Sequence, residues 1–230
     1  MRDWQPVLGV DLWVWLFVAP TLLAVACAAA PRPMARALRP VWAVADRVYV
    51  AAGVVAACGM VTILGLIVAQ MIARWAGITF SGSTNYAGYA MAATSFFALA
   101  HALTRGAHIR VGILLNVPNP RFTYGLDAAA TWIGALTATY FARFAVKANI
   151  LSEMLNDRTQ GQDFVPEWVV ALFSLDFAGI GEAEGWVYTP IWIPQLAMSA
   201  GAILLAICLW DMLTRLLATR ETAIRGEVVE

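Results

Sequence analysis

This 230-residue chain has little charge: only 13% of it is Asp, Glu, Lys or Arg, about half of what a soluble domain carries. An ordinary soluble fold is thereby excluded. Its 15 basic and 15 acidic residues cancel, which removes the case for a nucleic-acid binder, since that would need a net basic face to neutralise phosphates. Histidine is nearly absent, with two residues. One of them, His108, falls in an arginine-rich stretch, which leaves a b-type haem without paired axial ligands at one depth. The three cysteines, Cys27, Cys58 and Cys208, lie in separate apolar runs and form neither a disulfide framework nor a zinc spacing. Phosphate-cradling glycine loops and nucleophile elbows are missing as well. The sequence therefore predicts no catalytic residue, no cofactor and no metal ligand set. Asn156-Asp-Arg-Thr-Gln-Gly161-Gln-Asp163 gathers oxygen ligands around a glycine, but without the regular spacing and closing glutamate of a calcium loop.

What the chain has in excess is hydrophobicity, 61% of residues with a mean hydropathy of +0.70. A membrane-spanning helix needs about 20 largely apolar residues. Five stretches supply them: Leu12 to Ala30, Val48 to Ala73, a window within Tyr86 to Thr104, Ala128 to Phe141 with its flanks, and a window within Ile191 to Trp210. The expected fold is all-α and polytopic, with about five transmembrane helices. Gly77 to Asn85 reads as a loop before the third span. Tryptophans favour the headgroup zone, and Trp42, Trp75, Trp186, Trp192 and Trp210 fall where spans should meet water, whereas Trp132 lies inside span four.

Arginine placement sets the orientation, because cytoplasmic loops carry the excess of Arg and Lys. Arg32, Arg36, Arg39, Arg47, Arg105, Arg110, Arg121, Arg215, Arg220 and Arg225 all fall on one side of a five-span arrangement. The other side receives nine acids, among them Glu153, Asp157, Asp163 and Glu167. The N-terminus is thus expected outside and the C-terminus inside. An alternative reading makes the first run a secretory signal cut after Ala28-Ala29-Ala30. Asp3 and Asp11 beside a single Arg2, and Pro31 just past the cut, argue against it.

Three segments are expected: 1–47, an extra span and basic cytoplasmic linker; 48–217, a membrane domain; and 218–230, a cytoplasmic tail. Within the second, 149–190 is long for a connection and sits on the acidic side. Its run from Val165 to Asp176 is too short to span, and Pro166 and Glu167 suit a helix start. It reads either as a solvated loop with an interfacial helix or as a periplasmic docking surface carrying Glu153, Asp157, Asp163, Glu167 and Trp168. Ionisable residues deep in spans are rare here. His101 is expected to bond a neighbouring carbonyl, with a proton relay as the alternative. Gln70, Thr62 and Asn85 read as packing or boundary residues. Gly53 with Ala57, and Gly65 with Ala69, have the spacing that lets helices approach closely, either within this chain or against a larger membrane partner.

The stretch Tyr89-Ala-Met-Ala-Ala-Thr-Ser-Phe-Phe-Ala-Leu-Ala-His-Ala-Leu-Thr-Arg-Gly-Ala-His-Ile-Arg-Val111 resembles the small membrane subunit of tripartite ATP-independent periplasmic (TRAP) transporters. Arg105, Gly106, His108, Ile109, Arg110 and Val111 are similar to that family's turn after a span. Ile191-Trp-Ile-Pro-Gln195 resembles the start of its last span, and the close of Val48 to Arg74 resembles the end of its first. Two departures stand out. Ser83-Thr-Asn-Tyr86 replaces the common tryptophan and acids, and the N-terminal run and the 149–190 segment exceed the usual four-span plan. The resemblance implies a subunit without catalytic activity in the bacterial inner membrane. It would brace a large permease subunit that holds sodium and substrate, while a periplasmic binding protein delivers an organic anion such as a carboxylate. The motif residues would lie at the subunit interface. Composition and topology alone fit an accessory or assembly subunit of another membrane complex equally well.

Overall fold

The computed structural model describes residues 6–105, 120–181 and 185–220. Among these the chain is all-α apart from four strands of two or three residues. A short hairpin, β1 (Pro6–Val7) with β2 (Val10–Asp11), opens the chain. A π-helical turn, Val14–Val18, leads into α1 (Ala19–Ala29). Pro20 stands where the π-helical turn passes into α1.

α2 (Pro31–Trp75) runs for 45 residues, about 67 Å at 1.5 Å per residue. It takes in both the expected second span and the arginine-rich stretch before it, so that linker is itself helix. α3 (Ser83–Thr104) starts inside the stretch expected as loop, α4 (Pro120–Met154) carries Arg143 and Lys147 within it, and α6 (Trp192–Thr219) closes the described chain. Between α4 and α6 lie β3 (Phe164–Pro166), α5 (Glu167–Phe173) and β4 (Trp186–Tyr188). α5 begins after Pro166, as the sequence predicts. Because α4 extends to Met154, the connection to α6 is shorter than 149–190. α2 and α6 are long and apolar enough to cross a membrane; the Val14–Ala29 helix is apolar but shorter.

The chain divides into two compact units. The first comprises the described residues of Met1–Ala52, Leu99–Ala142 and Ala202–Glu230. Its core joins Tyr49, Ala100, Cys208 and Met212, flanked by Ala45, Leu103 and Leu204. Ala135, Ala138 and Ala142 form a buried small-residue row on α4. The Trp210 indole donates to Thr139 Oγ1 at 2.9 Å, and that of Trp132 to Thr21 Oγ1 at 3.3 Å, so these rings serve helix packing. Cys27 and Cys208 are buried free thiols, and Cys58 is exposed.

The second unit comprises the described residues of Gly53–Ala98 and Arg143–Gly201. Here glycine makes close packing possible. A Cβ on Gly201 would stand 2.6 Å from the Phe96 carbonyl, and one on Gly59 would overlap the Thr94 side chain. The pairs expected to pack do not do so within the chain: Ala57, Gly65 and Ala69 are exposed, and a Cβ on Gly65 would meet nothing within 4 Å. The buried residues of α2 in this stretch are Ala52 and Ala56 instead, with Gly59 half-buried. Trp192, expected at the water boundary, is 6% exposed, and its carbonyl accepts from Asn149 Nδ2 at 2.7 Å.

Candidate functional site

The segment between α4 and α6 is a built structure held by one carboxylate. β3 and β4 pair antiparallel, Phe164 opposite Tyr188 and Pro166 opposite Trp186, and the Phe164 and Tyr188 rings lie 4.6 Å apart. At the start of β3 sits Asp163, fully buried. Asn85 Nδ2 donates to its Oδ1 at 2.6 Å; Tyr89 OH and Thr159 Oγ1 donate to Oδ2 at 2.7 and 3.0 Å. The Asp163 carbonyl accepts from Thr189 N at 3.2 Å. Next to it, Tyr86 OH donates to the Phe164 carbonyl at 2.5 Å and accepts from Phe164 N at 2.9 Å.

Asn85, Tyr86 and Tyr89 occupy the first two turns of α3, so their side chains share one end of one helix. Gly82 makes the approach possible: its φ of +75° places it in the left-handed region, and a Cβ there would stand 2.7 Å from the Gln162 carbonyl and 2.8 Å from Asp163 Cα. Burial pushes the Asp163 carboxyl up, but the hydrogen bonds from Tyr89, Asn85 and Thr159 outweigh it and hold the group below the ordinary aspartate value.

The knot changes the reading of the expected docking residues. Asp163 is internal and its oxygens are occupied, so it is withdrawn from any docking surface. Glu153, Asp157 and Trp168 remain exposed, and Glu167 is half-buried in the first turn of α5. Exposed aromatic and aliphatic side chains stand beside them: Phe173, Leu175, Phe177 and Trp186. Asn85, read from sequence as a boundary residue, is instead a principal ligand of the buried carboxylate. Its signal was the Asn-Tyr-x-x-Tyr spacing at a helix start, which puts three polar side chains on adjacent turns.

The first unit holds a second polar knot, which the sequence reading missed. Arg215 on α6 pairs with Asp211 one turn earlier at 2.9 Å and with Asp46 on α2 at 2.7 Å. It also donates to the Trp42 carbonyl at 3.0 Å, with its guanidinium 5.5 Å from the centre of the Trp42 ring. Tyr49 OH donates to Asp211 at 3.3 Å. Trp42, Asp46 and Tyr49 at i, i+4 and i+7, with Asp211 and Arg215 at i, i+4, were the available signal. The knot ties α2 to α6.

Of the motif residues, Arg105 is described: it is exposed at the end of α3, its N–H bonded to the His101 carbonyl at 3.2 Å. Gly106, His108, Ile109, Arg110 and Val111 lie outside the described residues. Among the described residues His101 shows no interhelical side-chain bond, and its buried Nδ1 has no partner there. Among the described residues no group of three or more His, Cys, Asp or Glu is placed to hold a metal.

These features define an all-helical membrane-type subunit whose buried polar groups join helices and loops to one another. Residues 63–175 match the family model described as Tripartite ATP-independent periplasmic transporters, DctQ component, which identifies the chain as a small membrane component of the TRAP transporter family. That family is a membrane transport component and not an enzyme family, and it works in a tripartite complex with a large permease and a binding protein. The matched stretch runs from the second half of α2 to Leu175, and so includes the Asp163 knot. The sequence finds no match among curated proteins and none among solved structures.

Proposed function

We propose that this chain braces the large permease subunit of a sodium-driven, binding-protein-dependent importer of an organic anion such as a carboxylate. It would do so in the bacterial inner membrane, without catalytic residues or a cofactor of its own. The observation that carries this reading is the outward face of α2. Only 11% of its most apolar window is buried within the chain, and the small residues Gly65 and Ala69 of this helix are exposed. A helix face that is apolar, flat and unoccupied suits a second helix from a larger membrane protein. The sodium and substrate sites then belong to the large subunit, and the exposed acids and aromatics of the 155–191 connection serve the binding protein.

Five spans with the N-terminus outside and the C-terminus inside complete the proposal, supported by the placement of the ten arginines. The count turns on the first helix. Its 16 residues from Val14 to Ala29 reach about 24 Å against a hydrocarbon core of about 30 Å. A reporter fused ahead of Pro6 should be periplasmic; a cytoplasmic signal there reduces the count to four.

The functional test is a pair of substitutions, Gly65→Leu and Ala69→Leu. Both sites are open within the chain, so its own melting temperature should stay within a few degrees. Co-purification of the large subunit and sodium-dependent uptake in proteoliposomes should fall together. Undiminished assembly and uptake in the double variant would remove this face from the interface.

A further inference from the structure

A cleft in the second unit has a chemistry that neither polar knot uses. α2 ends at Trp75 in a glycine cap: Gly77 has φ +70°, Ile78 N bonds the Ala73 carbonyl at 2.9 Å, and Gly77 N bonds the Arg74 carbonyl at 3.2 Å. The cap satisfies the helix's last carbonyls and folds the strap 77–81 back beside the helix. Between strap and helix opens a cleft of about 810 Å³, within the range of about 300–1,000 Å³ typical of small-molecule sites.

Its lining is divided. Gln70, Arg74, Thr79 and Gln162 bring polar groups to the mouth, and Ile67 and Met71 form an aliphatic wall. No carboxylate of the described residues lines it. Arg74 makes no ion pair among the described residues. The aliphatic wall continues down the same face of α2 through Leu64 and Met60, each more than 60% exposed. From Arg74 to Met60 this track measures about 21 Å, longer than the roughly 15 Å of hydrocarbon in one leaflet. Beside the mouth stands Trp75, 79% exposed, a residue suited to the headgroup zone.

We propose that this cleft holds one anionic phospholipid, its phosphate paired with Arg74 and an acyl chain laid along Met71, Ile67 and Leu64. A soluble anion would have use for the cation but none for the apolar track below it. A helix from a partner would fill the track but not the polar mouth. A phospholipid matches both, with its charge at the end of the span and its chain in the leaflet. The inference stands on the cleft alone and does not depend on the transporter reading.

The test is native mass spectrometry of the full chain released from detergent after titration with palmitoyl-oleoyl phosphatidylglycerol. Arg74→Gln should weaken binding about fivefold, the effect of removing one cation from a lipid phosphate. Met71→Gln should weaken it through the track. Arg39→Gln, which removes an exposed arginine from the other end of α2, should leave it unchanged. Inorganic phosphate at millimolar concentration should not displace the lipid. Equal losses in the Arg74 and Arg39 variants would show non-specific attraction and overturn the proposal. Displacement by inorganic phosphate would make the cleft a free-anion site and overturn the lipid assignment. Arg74 is exposed, so the fold survives its loss; should that variant nevertheless melt early, unaltered binding by Met71→Gln would itself overturn the proposal.

Discussion

Asp163 and Asp211 are both withdrawn from water, and the chain stabilises them in opposite ways. Asp163 is surrounded by neutral donors, an amide and two hydroxyls, with no cation bonded to it among the described residues. Asp211 shares a guanidinium with Asp46 and has one long bond from Tyr49. The first arrangement draws partners from three places in the sequence and shapes a loop around them. The second pins two helices already aligned by apolar packing. Hydrogen bonds from several neutral groups fix a conformation, because each donor has its own direction; an ion pair sets a helix register and tolerates some sliding. The knot in the connecting segment should therefore be the less forgiving of the two.

The largest effect is expected at Asp163→Ala. It leaves three half-buried donors without their acceptor, and at the lower part of 1–3 kcal/mol for each unsatisfied group the loss should be on the order of 4 kcal/mol. Thermal unfolding in detergent, together with protease nicking between Leu155 and Ile191, would measure it. Asp163→Asn restores one acceptor oxygen and should fall between. A loss under about 1 kcal/mol for the alanine variant would mean that water reaches the site, and the contrast with Asp211 would collapse.

Next comes Arg215→Met. Asp211 loses its counter-charge inside the helix packing, at a cost of about 3 kcal/mol, while Asp46, more than half exposed, returns to water. Adding Asp211→Leu removes the orphaned charge and should recover most of the loss, since replacing a buried pair by apolar groups is often close to neutral. No single second substitution should rescue Asp163→Ala in the same way. Recovery by one such change would show that one donor dominates that knot.

How far the sequence could anticipate this contrast follows from the kind of information each part needs. The apolar runs from Val48 and from Ile191 announced α2 and α6 because periodicity and composition are local. The start of α5 at Glu167 was equally legible from Pro166. Asp163 was visible only as an acid in a polar run: its burial depends on Asn85 and Tyr89, more than 70 residues earlier, and on the approach that Gly82 permits. Asp211 and Arg215 showed an i, i+4 pair, but nothing local said that Asp46 and Tyr49 would meet them. Gly65 and Ala69 showed the spacing for close approach, but spacing alone does not report which side of a helix the rest of the chain will cover, and both stay exposed within it.

Acid should separate the knots further. The folded carboxyl of Asp163 titrates below the aspartate of the unfolded chain, so it contributes stability that is present above the unfolded value of about 3.9 and is lost as pH falls through the folded value. Stability of the connecting segment, followed by the fluorescence of Trp168 and Trp186, should hold level from pH 7 to about 5 and decline below about 4. Asp163→Asn should lack that part of the decline. A decline of equal size in both proteins would assign the acid sensitivity to other groups, with the exposed Glu153 and Asp157 the first to test.

The smallest and most discriminating comparison is between two tyrosines. Tyr89 OH meets Asp163 at 2.7 Å and Tyr49 OH meets Asp211 at 3.3 Å. A short charge-assisted bond contributes about 1.5–3 kcal/mol, and a long one contributes little. Tyr89→Phe should therefore destabilise the protein by about 2 kcal/mol and Tyr49→Phe by less than about 1 kcal/mol. Phenylalanine keeps the ring in each case, so the apolar packing of Tyr49 against Ala100, Cys208 and Met212 is preserved and the difference reports the hydroxyl alone. Arg215 already compensates Asp211, which is why its tyrosine can be lost cheaply; Asp163 has no such cation, and each of its neutral donors counts. Equal losses at the two positions would show that neither the length of the hydroxyl bond nor the presence of a counter-ion separates the two knots.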